Sequence, residues 1–217
     1  EPLLWPRPRM VFVNSMSDLF HEALPVEYVE VVIEVMGLTP WHTYQVLTKR
    51  ADRMKELLTG PLSGAASLAN VWWGVSVENR RHGLPRVVEL QTVSATTRFL
   101  SIEPLLEDLG SVPLAGIDWV IVGGESGAGA QPVEGAWVRS IRDQCDAANV
   151  PFFFKQWGGQ NKKKAGRLLD GRTYEAMPAP STAPMPSRAE RLRLAAPMAE
   201  AAAKFSPEPI LRFRRNG

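Results

Sequence analysis

Apolar residues along this chain gather in short runs of strand length, each closed by a polar cluster and mostly followed by a stretch of helical spacing. Met10–Val13 ends at Asn14, Ser15 and Asp18, Tyr44–Leu47 at Thr48, Lys49 and Arg50, and Val71–Val75 at Ser76, Glu78 and Asn79. Arg98–Leu100 ends at Ser101 and Glu103, Trp119–Val122 at Gly123, Gly124, Glu125 and Ser126, and Phe152–Phe154 at Lys155 and Gln156. Between these strands the spacing predicts helices over Pro25–Met36, Ala51–Leu58, Leu84–Val93 and Gly135–Ala148. Ser101–Asp118 is the exception, because Pro104, Gly110, Pro113 and Gly116 favour a loop there.

Strands alternating with helices imply right-handed crossovers and a parallel α/β sheet. In such folds ligands sit beyond the carboxyl ends of the strands. A doubly wound sheet concentrates its functional groups near one switch point. Polar groups after every strand instead favour a partial (β/α) TIM-type barrel whose whole rim faces one site.

The 217 residues are 45% hydrophobic and 22% charged with a net charge of +2, which describes an ordinary globular protein and argues for neither nucleic acid nor membrane. The charge is unevenly placed. Residues 178–217 hold seven basic and three acidic residues, so this tail carries +4 and the body, residues 1–177, carries −2. Seven prolines and nine alanines in the tail suit a solvated segment, disordered or loosely helical, with a helix over Arg188–Lys204 broken at Pro197. The basic run Arg212, Arg214 and Arg215 would suit an electrostatic arm for nucleic acid or a partner. The start, Glu1–Arg9, lacks a signal-peptide core, and Val26–Leu38 is too short and too charged to span a bilayer. A single cysteine, Cys145, excludes an intrachain disulfide and a thiolate cluster built from these residues alone, and points to the cytoplasm.

Glu78, Glu103 and Glu125 follow three successive strands and could hold a divalent metal, act as acid and base, or bind sugar hydroxyls. They could equally pair with Lys49, Arg50 or Arg98. Lys155 leaves the apolar strand Phe152–Phe154, as a buried Schiff-base or anion-binding lysine would, or it neutralises a rim glutamate. Gly123–Gly129 is a glycine-rich loop that could bring backbone amides to a ligand or simply make a tight turn; it matches neither the dinucleotide nor the Walker spacing. His21, His42 and His82 read as surface or capping residues, Cys145 as packed against the sheet, and Trp72, Trp73, Trp119 and Trp157 as core.

The motifs VNSMSDLF at Val13–Phe20, VLTKR at Val46–Arg50, WGVSVEN at Trp73–Asn79, FLSIEP at Phe99–Pro104, VGGESG at Val122–Gly127 and FKQWG at Phe154–Gly158 occur in this order. With Lys162–Arg167 and Leu169–Arg172, the chain resembles, from Trp5 to Met177, the phage and prophage three-cysteine-motif proteins, a radical-SAM-like family. The resemblance implies a partial barrel that binds S-adenosylmethionine and an iron–sulfur cluster held by three cysteines in the loop after the first strand. This chain departs from the pattern there: it begins near the second strand, and the cysteine loop would lie upstream of Glu1. Carried over, Asn14, Ser15 and Asp18 would face the methionine amino and carboxylate groups, and Ser76, Glu78 and Asn79 the ribose. Gly123, Gly124 and Glu125 would meet adenine or substrate, since they come too late for the family's methionine-binding glycines.

Three functions compete. One is a radical-SAM-like core, inactive without its cluster loop, with nucleic acid as the suggested substrate. Another is a scaffold that binds nucleic acid or a second phage-encoded protein. The last is a cluster-independent barrel enzyme using Lys155 with Glu103 or Glu125; Lys49, which brings positive charge to the same rim, stands among the cofactor-binding candidates.

Overall fold

The computed structural model describes residues 1–14, 17–160 and 165–205. Six strands form one sheet: β1 (Met10–Val13), β2 (Thr43–Thr48), β3 (Val71–Ser76), β4 (Thr97–Ile102), β5 (Trp119–Gly123) and β6 (Phe152–Gln156). Their spatial order is their chain order and every pairing is parallel. The sheet is a curled half-barrel. Between strands lie α1 (Val26–Gly37), α2 (Ala51–Thr59), α3 (Ser63–Ala66), α4 (Gly83–Gln91) and α5 (Gly135–Ala148), while a loop joins β4 to β5. Right-handed crossovers between sequential neighbours put every helix on one face. The opposite face is left as the inside of the curl.

Alternation along the strands divides the side chains between those faces. Val71, Trp73 and Val75 of β3, Leu100 and Ile102 of β4, and Val120 and Val122 of β5 belong to the large core beneath the helices. Trp72, Phe99 and Trp119 form a second, concave cluster with Leu47, Ile121 and Phe153 packed against it. Register places Leu47 beside Gly74, Gly74 beside Phe99, and Phe99 beside Trp119, so the concave floor is a continuous row. One row further along the strands stand Ser76 and Ser101, and charged residues lie beyond them. The floor is aromatic and the rim polar.

The chain then crosses the amino-terminal end of the sheet. Glu175 bridges antiparallel to Phe153, and the Trp119 indole N–H donates to the Ala176 carbonyl at 2.8 Å. Ser181 N–H donates to Thr43 Oγ1 at 2.8 Å, so this strap runs from the β6 side to the start of β2. It leads into α6 (Arg188–Ala203), opened by a capping box between Ser187 and Glu190. Arg191, only 6% exposed, donates to the carbonyls of Leu3 at 3.1 Å and Trp5 at 2.7 Å.

Several expectations change. The helix expected over Arg188–Lys204 is present as α6, and residues 178–205, largely exposed, are tied to the body where Ser181 and Arg191 find polar partners that composition does not reveal. Pro197 sits inside α6 without breaking it. The capping box and Arg191 fix one end, and Phe205 packs edge-on against Tyr28 at the other, with ring centroids 5.5 Å apart. The strand after Leu100 continues through Ser101 and Ile102, and α3 was not foreseen. His42 is fully buried instead of capping or facing solvent. The Arg9 amide donates to its Nδ1 at 2.9 Å, and its Nε2 lies 3.0 Å from the Pro2 carbonyl and 3.0 Å from the Trp41 indole nitrogen. Cys145 does pack against the sheet, and burial pushes its thiol up to about 12. Trp72, Trp73 and Trp119 are core, whereas Trp157 is half-buried against Phe154. Among the described residues no helix is long and apolar enough to cross a membrane.

Candidate functional site

At the carboxyl ends of β1, β2 and β3 lies a cleft of about 460 Å³. Phe12 and Leu47, both on the concave face, form its apolar part; Asn14, Ser17, Lys49 and Ser76 supply polar groups, with Asp18, Thr48 and Arg50 behind them. The strands place these groups because each ends in a polar residue at the same height of the curl. Asn14 turns the chain off β1 at φ 57°, a left-handed conformation that asparagine tolerates better than most residues. Ser15 lies outside the described residues.

Asp18 is part of the cleft wall, but its carboxylate is already engaged. It accepts from Thr48 Oγ1 at 2.7 and 2.9 Å, from the amides of Phe20 at 2.9 Å and Lys49 at 3.2 Å, and from Arg50 at 3.1 Å. Its work is to tie the loop after β1 to the end of β2. Ser17 also lines the cleft.

Glu78 is nearly buried and is held from two sides, by the Lys49 ammonium and by Arg86 Nη1 at 2.7 Å. Burial alone would raise its carboxyl, yet the hydrogen bonds from Lys49 and Arg86 outweigh that and hold it below the ordinary value. Both carboxylate oxygens are thus engaged within the protein. Asn79 makes a local contact, its Oδ1 accepting from the His82 amide at 2.8 Å ahead of α4.

The rest of the rim forms a separate group. Lys155 Nζ contacts Glu103 Oε2 at 2.8 Å, and the Gln156 amide donates to Ser126 Oγ at 2.7 Å. Lys155 is half-exposed, not buried as a Schiff-base lysine would be, so its pairing with a rim glutamate is the reading that holds. Glu125 accepts from the Gln131 amide at 2.9 Å. Glu78, Glu103 and Glu125 therefore engage different partners, and no metal-holding cluster of His, Cys, Asp and Glu forms among the described residues.

The glycine-rich loop is explained by a chain crossing. A Cβ on Gly124 would lie 2.0 Å from the Trp157 carbonyl oxygen, and one on Gly158 (φ 81°) 2.0 Å from that of Glu125. The amides of Gly124 and Gly127 donate to the carbonyls of Gln156 at 2.9 Å and Gly159 at 3.2 Å. They are engaged with the last residue of β6 and the segment after it rather than presented to a ligand. Gly123 has a different neighbour: its missing Cβ leaves room for the Glu103 carboxyl, 3.2 Å away.

The basic tail is turned inward at Arg191; Arg212, Arg214 and Arg215, with Lys162–Lys164, lie outside the described residues. Two residues that matter most to the cleft escaped the sequence reading. Phe12 alternates with Val11 and Val13 and so shares a face with Asn14, which is the signal that could have found it. Arg86 had no such signal, being a helix residue that reaches back to the strand end.

No curated protein and no solved structure matches the chain. A family model described as "Protein of unknown function (DUF5131)" matches residues 1–178, which covers the half-barrel and stops where the strap has crossed β5. On that match, the chain belongs to the DUF5131 family.

Proposed function

We propose that this protein is a radical-SAM-like core, a partial TIM-type barrel whose rim at β1–β3 binds S-adenosylmethionine. The observation that supports it is the 460 Å³ cleft at the carboxyl ends of those strands, lined by donors on one side and by Phe12 and Leu47 on the other. A nucleoside carrying an amino-acid arm needs that mixture. Asn14 and Ser17 would hold the amino-acid end, Lys49 its carboxylate, and Ser76 a ribose hydroxyl. Asp18 and Glu78 position these groups rather than touch the ligand. When bound, S-adenosylmethionine supplies an activated carbon–sulfur bond.

An iron–sulfur cluster does not fit these residues. The single thiol, Cys145, is buried on the helix side of the sheet and held protonated, so the chain's own side chains offer no thiolate ligand at the rim. Nucleic acid as substrate and the cytoplasm as setting belong to this same reading, the first by family resemblance and the second by the free thiol.

Calorimetric titration with S-adenosylmethionine tests the proposal. One saturable site is expected, weakened at least about tenfold in Ser76→Ala and in Asn14→Asp, a change that keeps a residue tolerant of the left-handed turn. Absence of saturable binding, or affinity untouched by both substitutions in folded protein, overturns it.

A further inference from the structure

We infer that the cleft grips its ligand at two points, a planar heteroaromatic ring stacked on Phe12 and an anionic group on Lys49. The inference rests on the cleft proposed above and deepens it by naming the ligand chemistry.

Phe12 is 44% exposed although it stands on the concave face, where Trp72, Phe99 and Trp119 are all buried. It opens into the cleft beside Leu47. An exposed aromatic ring flanked by hydrogen-bond donors is a stacking platform, since every nucleobase or similar heterocycle has a face to offer.

Lys49 supplies the second point. Its ammonium reaches Glu78, but that carboxylate is also held by Arg86, so two cations share one anion and the group keeps a net positive charge. Arg86 is the better sheltered of the two and alone can neutralise Glu78. Lys49 is more than half exposed on a flexible stem and lines the cleft, free to turn toward a carboxylate or phosphate. The other cleft cation, Arg50, is not available in this way, because both Asp18 and Glu22 hold it. The ring end and the charged end are thus defined by different strands, β1 and β2.

Binding of adenosine, AMP, S-adenosylmethionine and its decarboxylated form should be compared on the full chain, in wild type, Phe12→Leu and Lys49→Gln. The expected result is that Phe12→Leu weakens every ligand by roughly tenfold. AMP should bind more tightly than adenosine if the anion is a phosphate, and S-adenosylmethionine more tightly than its decarboxylated form if it is a carboxylate. Lys49→Gln should erase whichever preference appears. Thermal melts confirm that both variants fold; Phe12→Leu keeps an apolar residue in the strand. A ligand that binds without regard to Phe12, or a preference that survives Lys49→Gln, overturns the two-point grip. Nucleotide binding with both dependences but none for S-adenosylmethionine would overturn only the cofactor assignment. Binding of S-adenosylmethionine that depends on Ser76 and Asn14 alone would overturn only the grip, and absence of binding by all four ligands overturns both.

Discussion

Gly74 shows how a single position shapes the floor of the site. A Cβ there would lie 2.4 Å from the ring of Phe99, which is fully buried between β3 and Trp119. The ring occupies the space the glycine leaves, and it has no room to give. Gly74→Ala should therefore cost about 1–3 kcal/mol by overpacking, measured by urea unfolding. Gly64→Ala is the control: nothing lies within 4 Å of its added Cβ, and stability should hold or rise by up to about 1 kcal/mol. Equal losses in the two variants would contradict the packing argument. The sequence marks Gly74 only as a glycine inside an apolar run. Its reason lies on the next strand and becomes visible once register pairs the two residues.

At the scale of elements, the amino-terminal segment, the start of β2 and α6 are clasped together around His42. The Arg9 amide can only donate, so it needs Nδ1 as an acceptor, while Nε2 stands between the Pro2 carbonyl and the Trp41 indole N–H, a second group that can only donate. Protonating Nδ1 would break the first bond inside a buried site. Burial lowers the His42 pKa from its ordinary 6.5, the Pro2 contact opposes this, and the charges of Arg9 and Arg191 lower it further. The unfolded chain then binds the proton more readily than the folded one, so stability rises with pH. The contribution is fully present above the unfolded value of about 6.5 and is lost as pH falls toward the lower folded value. Urea unfolding at pH 7.5 and 5.5 should show wild type losing stability on acidification and His42→Gln losing less; equal losses would remove His42 from the account. The sheet strands, α1, α2, α4 and α5 were legible because each carries an apolar period with turn residues at its ends. The clasp was not, since Arg191 meets carbonyls of Leu3 and Trp5 at the far end of the chain and lies in a segment without apolar period. For the same reason Pro197 looked like a breaker: local propensity was readable, but not the tertiary contacts that offset it.

For the whole molecule, polar residues after every strand were enough to suggest a curled parallel sheet with a functional rim. Sequential strand order then leaves one helix-free face, and that face supplies Phe12, Leu47, Lys49 and Ser76. Partner choice along the rim was beyond the sequence, because Lys49 could have met any of three glutamates and only strand order sets it beside Glu78. Glu103 meets Lys155 across β5 because Gly123 lets the carboxyl pass. The charged rim thus resolves into two neighbouring parts, a cleft at β1–β3 and an ion-paired group at β4–β6. In the proposed function the first of these is the ligand site. Hydrogen exchange of the full chain with and without S-adenosylmethionine tests it most directly. The account predicts added protection at the carboxyl ends of β1, β2 and β3, around Asn14, Lys49 and Ser76, with the Glu103–Lys155 side unchanged. Protection centred on Glu103, Ser126 and Lys155, or none anywhere, would contradict it.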